Sequence, residues 1–120
     1  MLKKVAFTMY PVIDLDRAKD FYQKNFDLTP SKTSANGAWV EYDLPSGGCF
    51  AITTLADGMK PSSTAGGCVA FEVENLDSLI SKLKENGVQF KLDIFHSPVC
   101  RMAVVLDSEG NAITLHQLKK

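Results

Sequence analysis

Two rhythms of apolar and polar residues alternate along this chain. Val5–Tyr10 is short and apolar, with Thr and aromatic residues, and this pattern predicts a strand. Pro11 lacks an N–H, so pairing should fade there. Leu15, Ala18, Phe21, Tyr22 and Phe26 then recur at helical spacing, with Lys19, Asp20, Gln23 and Lys24 on the wet side. Asp14 stands where a helix N-cap is needed, its carboxylate able to accept from unpaired N–H groups. Strands are expected around Leu28–Thr33, over Ala38–Leu44 and from Cys49 to Thr54. Asn36-Gly37 and Pro45-Ser46-Gly47-Gly48 supply the turns between them.

The same order then returns. The offset that carries Ala51-Ile52-Thr53 onto Ala112-Ile113-Thr114 also carries Val12-x-Asp14-Leu15-Asp16 onto Val73-x-Asn75-Leu76-Asp77. Gly67–Val73 reads as a strand. Asn75 caps a helix whose apolar face is Leu76, Leu79, Ile80 and Leu83, and Asn86-Gly87 ends it. Val88–Phe95, Cys100–Leu106 and Asn111–Leu118 are three further strands, the last two joined by Asp107-Ser108-Glu109-Gly110-Asn111. The chain therefore reads as an α+β protein of two tandem βαβββ modules. Module 1 covers about 1–55, a Gly/Pro/Ser/Thr linker about 56–66, and module 2 about 67–120, all within one domain. Each helix covers one face of its half-sheet. Two half-sheets facing each other would make a cup with a cavity at the seam.

Composition narrows the function classes. With 120 residues, 45% of them hydrophobic, the chain suits one soluble domain with its own core. A net charge of -1 and the lack of a clustered basic stripe argue against nucleic acid. No apolar run is long enough to span a bilayer. Lys3-Lys4 and Lys119-Lys120 read as solvated ends. Cys49, Cys68 and Cys100 are odd in number and form no CxxC pair. With no signal peptide visible, they point to free thiols in the cytoplasm.

Three stretches together resemble a known family. Val12-Ile13-Asp14-Leu15-Asp16-Arg17-Ala18-Lys19-Asp20-Phe21-Tyr22 is similar to the opening of the glyoxalase/bleomycin-resistance/extradiol dioxygenase (vicinal oxygen chelate) superfamily. Val69–Asp77 resembles the start of its second module, and Asp107-Ser108-Glu109-Gly110-Asn111 resembles the turn before its last strand. The resemblance spans nearly the whole chain. It implies paired βαβββ modules, commonly in a homodimer with two cavities. It also implies, for enzymes of the family, a divalent metal held by His, Gln or Glu on the first and last strands of each module. Those positions fall here on Phe7, Thr53, Cys68 and Thr114. Phe offers no donor and a neutral Thr hydroxyl is a weak one, whereas Mg, Mn, Fe and Ni want carboxylate or imidazole. No metal and no other cofactor is therefore expected.

If period-two alternation holds, the cavity is lined by Phe7, Met9, Trp39, Thr53, Cys68, Glu72, Arg101, Thr114 and His116. Such a lining suits a flat or greasy small molecule, with Arg101 able to anchor an anionic group. Tyr10, Tyr42, Phe50, Phe95 and Met102 on the strands read first as core. Glu72 needs a partner if it faces inward, and Arg101 is the candidate. Cys68 and His116 are the candidate catalytic residues, with His96 the only other histidine. A free Cys is more often a small buried apolar residue, and a lone His more often structural.

Three functions remain open at this level. One is a metal-free module binding an aromatic molecule. Another is an atypical lyase or dioxygenase-type enzyme, with donors displaced to Cys68, His116, His96, Glu72 or Glu41 and a divalent metal among them. The last is a regulatory or protein-interaction domain whose cavity is filled by its own side chains.

Overall fold

A computed structural model describes residues 1, 3–55 and 58–119. The start of the expected linker, Ala56 and Asp57, lies outside the described residues, as does Lys120. The chain divides into two units, Met1–Pro61 and Ser62–Lys120. Each contains one helix and one four-stranded sheet.

The first unit runs β1 (Thr8–Pro11), α1 (Leu15–Phe26), β2 (Lys32–Ser34), β3 (Trp39–Asp43) and β4 (Cys49–Thr53). Its sheet has the order β1-β4-β3-β2, with β1 parallel to β4 and the other pairs antiparallel. α1 begins where Asp14 accepts a hydrogen bond from the Arg17 amide at 3.0 Å, as its sequence position predicts. It ends at Asp27, whose backbone is left-handed (φ 56°) and whose N–H returns to the Gln23 carbonyl. β1 starts later than Val5. Thr8 pairs with Phe50 and β4 begins at Cys49, so Val5 and Ala6 lie beyond the end of their partner strand. Pro11 still sits in the strand, opposite Thr53 on an edge where its missing N–H is tolerated. The Val12 amide then adds one more bond, to the Thr53 carbonyl at 2.9 Å. β2 is shorter than expected because Leu28 still bonds back to Tyr22 in α1 and Pro30 has no N–H to pair. The Asn36-Gly37 turn forms, but Ala35 shares its left-handed backbone, all three residues having positive φ.

α1 packs on the face of sheet 1 that carries Val40, Tyr42, Phe50 and Ile52. The Tyr22 ring lies 5.1 Å from Phe50 and 6.2 Å from Tyr42, centroid to centroid. The Tyr42 hydroxyl is buried without a hydrogen-bond partner, and burial pushes its phenol up to about 12. Leaving a hydroxyl unpaired costs more than having none, so Tyr42→Phe should raise stability by about 1 kcal/mol at neutral pH. The folded phenol binds its proton more tightly than the unfolded one. The native protein should therefore lose stability as pH climbs from about 10, an ordinary tyrosine's value, through about 12, and the variant should lose less. Urea titrations at neutral and alkaline pH check both.

The second unit runs β5 (Val69–Glu72), α2 (Leu76–Glu85), β6 (Phe90–His96), β7 (Cys100–Leu106) and β8 (Ala112–Leu118). The sheet order is β5-β8-β7-β6, the same topology as the first. Asn75 caps α2 by accepting from the Ser78 amide at 3.1 Å. Only Gly87 of the Asn86-Gly87 pair is left-handed (φ 73°). Leu76, Ile80 and Leu83 are buried, as are Ala103, Val105, Ile113 and Leu115 on the sheet, while Leu79 is partly exposed. In the turn before β8, Asp107 accepts from the amides of Glu109 (2.8 Å) and Asn111 (2.9 Å). β6 carries two register irregularities against β7, one between Phe90 and Leu92 and one between Leu92 and Phe95.

Candidate functional site

Each helix covers one sheet face and leaves the other uncovered by it, and register decides what that other face shows. In sheet 1 the paired residues form two rows across the strands: Met9–Ala51–Glu41–Lys32 and Pro11–Thr53–Trp39–Ser34. These alternate with the Tyr42 and Phe50 positions under α1 and so lie on the opposite face. Phe7 joins them by setting its ring edge-on to Trp39 at 5.1 Å. Phe7, Met9, Trp39 and Thr53 therefore share one face, as alternation predicts. Glu41 ties this face together: its Oε2 accepts from the Trp39 indole at 2.7 Å, and its Oε1 lies 3.7 Å from the Cys49 thiol. Burial first, then the Glu41 and Asp43 charges, push that thiol up, away from a reactive thiolate. Thr53 is fully buried and its hydroxyl is committed, donating to the Ala38 carbonyl at 2.7 Å and accepting from the Leu55 amide at 2.9 Å.

In sheet 2 the uncovered rows are Ala70–Thr114–Val104–Leu92 and Glu72–His116–Met102–Phe95. Cys68, just before β5, places its sulfur 3.3 Å from both the Thr114 hydroxyl and the Ala112 carbonyl. Cys68, Glu72, Thr114 and His116 thus share a face. Met102 and Phe95, first read as core, belong to this face as well.

Two expectations are corrected. Arg101 does not partner Glu72, and it is not on the uncovered face. It pairs in register with Gln117 and His96, on the side that α2 covers. There its guanidinium makes a forked pair with Asp77 on α2, both contacts at 3.1 Å, and a third bond to Gln117 at 3.3 Å. Gln117 in turn accepts from the Leu76 amide at 2.7 Å, so this group anchors the start of α2. The Arg101 bond holds the Asp77 carboxyl below its usual range. Glu72 instead meets His116, Oε1 lying 2.5 Å from Nδ1, and accepts from the Leu118 amide at 2.9 Å. Sequence parity put Glu72 and His116 on the right face but missed their pairing. The parallel register Ala70↔Thr114, continued two residues along both strands, would have found it.

This fold defines a class: an α+β protein of two βαβββ units, each sheet covered on one face by its own helix. The chain belongs to the Glyoxalase/Bleomycin resistance protein/Dioxygenase superfamily, whose sequence model matches residues 4–115. Its fold is similar to that of TnmS3, an antibiotic binding protein from Streptomyces sp. CB03234. Identity is 25%, coverage 98% of both chains and TM-score 0.80. A glyoxalase/bleomycin resistance protein from the same Streptomyces also matches at 25% identity, over 95% of this chain and 100% of that one, with TM-score 0.78. Lactoylglutathione lyase from Agrobacterium tumefaciens shares the fold at 15% identity, covering 97% of this chain and 94% of that one, with TM-score 0.73. No curated protein matches the sequence significantly.

The positions that the family resemblance makes metal-ligating hold Phe7, Thr53, Cys68 and Thr114. Phe7 has no lone pair to give. Thr53 donates its hydroxyl to the Ala38 carbonyl and accepts from the Leu55 amide, and Thr114 and Cys68 are turned to each other. Among the described residues no three His, Cys, Asp or Glu side chains gather into a group able to hold a metal.

Proposed function

We propose that the protein binds a small aromatic or hydrophobic molecule on its uncovered sheet faces and does so without the metal of its enzymatic relatives. The observation that carries this reading is the state of Thr53: at a metal-ligand position, its hydroxyl is buried and held by Ala38 and Leu55. Two further features support it. The uncovered faces offer Phe7, Trp39, Met102 and Phe95 for stacking. TnmS3, 25% identical, is an antibiotic binding protein. We place the working form as a cytoplasmic homodimer. Its support is the exposure of Ile13 and Val99, outside the rows of the uncovered faces, and the three unpaired cysteines.

A thermal-shift screen of planar aromatic compounds tests the reading, after incubation with Mn, Fe, Co, Ni and Zn followed by desalting and metal analysis. A ligand at a hundredfold excess over its Kd should stabilise the fold by about 2.7 kcal/mol, a readily measured rise in Tm. The metal analysis should show none retained. One tightly held metal per chain would instead favour the displaced-ligand enzyme, with Cys68, His116 and Glu72 as donors. A broad screen with no stabilising compound would remove the binding reading.

A further inference from the structure

The uncovered face of sheet 2 holds a polar device at the end of an apolar row. Reading across the strands, the row is Glu72, His116, Met102, Phe95. Glu72 uses both oxygens as acceptors, Oε1 toward His116 Nδ1 and Oε2 from the Leu118 amide. The His116 bond first, and the Leu118 amide after it, hold the Glu72 carboxyl below its usual range. An ionised carboxylate can only accept, so Nδ1 must carry a proton and donate it. Where the ring carries a single proton, this bond fixes it in the tautomer whose Nε2 bears a bare lone pair. Among the described residues Nε2 has no partner.

The surroundings do not compete for that lone pair. On β5 the titratable neighbours on this face are Glu72, already on Nδ1, and Cys68, turned to Thr114 and Ala112. β7 presents Met102 beside His116, while Arg101 is directed to Asp77 on α2. β6 presents Phe95, and His96 stands on the side of Arg101. Lys119, beyond β8, donates to the Ser97 carbonyl. Phe95 is 39% exposed and so has ring surface to offer.

We propose that His116 Nε2 accepts a hydrogen bond from an acidic hydroxyl, a phenol or an enol, on an aromatic ligand whose ring lies over Met102 and Phe95. The proposal rests on the binding reading above and names the ligand chemistry for it. A hydroxyl is the group that satisfies an oriented lone pair next to an apolar surface. An ether of the same shape covers that lone pair and gives it nothing, so the site discriminates between the two. The thioether of Met102 and the ring of Phe95 supply the stacking surface.

The test is calorimetric titration with 1-naphthol and with 1-methoxynaphthalene, for the native protein and for His116→Phe. The native protein should bind the naphthol about tenfold more tightly, the scale of one good hydrogen bond. His116→Phe should bind both alike. Equal affinity in the native protein would overturn the proposal and leave the binding reading standing. Binding of neither compound would overturn the proposal, and the broad thermal-shift screen then decides the binding reading. A preference that survives in His116→Phe would also overturn it. If that variant fails to fold, the ¹⁵N resonance of His116 Nε2 in the native protein decides. A shift on adding naphthol and none on adding its ether supports the proposal, and the same response to both refutes it.

Discussion

Replacing Phe50 by Ala should cost about 3–5 kcal/mol of folding stability, the range for truncating a buried aromatic residue. Phe50 is 1% exposed and stands on β4, which is paired on both sides. Its ring meets Tyr10 at 5.4 Å, Tyr22 at 5.1 Å and Tyr42 at 6.3 Å, so three partners lose contact at once. The Tyr22 contact is also what seats α1 on the sheet. The rings around the gap are rigid and flanked by strand backbone, so the hole cannot close without moving the helix. Phe50→Leu leaves part of the volume filled and should lose less. Urea unfolding followed by circular dichroism reads both variants. A loss below about 1 kcal/mol for Phe50→Ala, well under the usual cavity cost, would show that α1 is not packed as described.

Asp107→Ala should be the next most damaging change, at about 2–4 kcal/mol, because it strands several donors in a buried place. Asp107 and Asn111 are 6% and 4% exposed. The Asp107 carboxylate takes the amides of Glu109 and Asn111 and, on its other oxygen, the Asn111 side-chain amide at 3.1 Å. Asn111 in turn accepts from the Ser62 amide at 3.1 Å, holding the segment that enters the second unit. Removing the carboxylate leaves three N–H groups without this acceptor and frees the turn that aligns β8 with β7. Asp107→Asn keeps an acceptor and should recover part of the loss. The same unfolding experiment applies. An alanine variant within 0.5 kcal/mol of the native protein, the usual scatter of surface changes, would mean that this network does not form.

That turn also shows what can be read from residues alone. Asp107, Asn111, Asp14 and Asn75 act through hydrogen bonds to their own neighbourhood, so their roles follow from local spacing, and the helices begin where they indicate. The repeat of those signals supplied the two-module fold. Long-range register was harder to read. Arg101 and Met102 are adjacent on β7, so alternation sends them to opposite faces, but which of them meets Glu72 depends on how β7 pairs with β8 and β8 with β5. No local signal specifies that. β6 was harder still. Phe90 and Leu92 should share a face by alternation, yet Phe90 pairs with Val105 and Leu92 with Val104, because a bulge intervenes. A second irregularity brings Phe95 back opposite Met102. Phe7, Met9, Trp39 and Thr53 share one face, and Cys68, Glu72, Thr114 and His116 another, as alternation predicts, whereas Arg101 lies on the opposite side of β7 from Met102.

The parallel pairing of first and last strands has a consequence for how the chain is made. Within each unit β1 or β5 must wait for the final strand, β4 or β8, before its ladder can close. Such distant closure is slow compared with forming a helix or a hairpin. The first unit nevertheless owns all four of its strands, so on the ribosome it has a complete set once Thr53 has emerged. The second unit has none of its strands out at that moment. Synthesis therefore completes the strand set of the first unit before any strand of the second has emerged, so each set can close in turn.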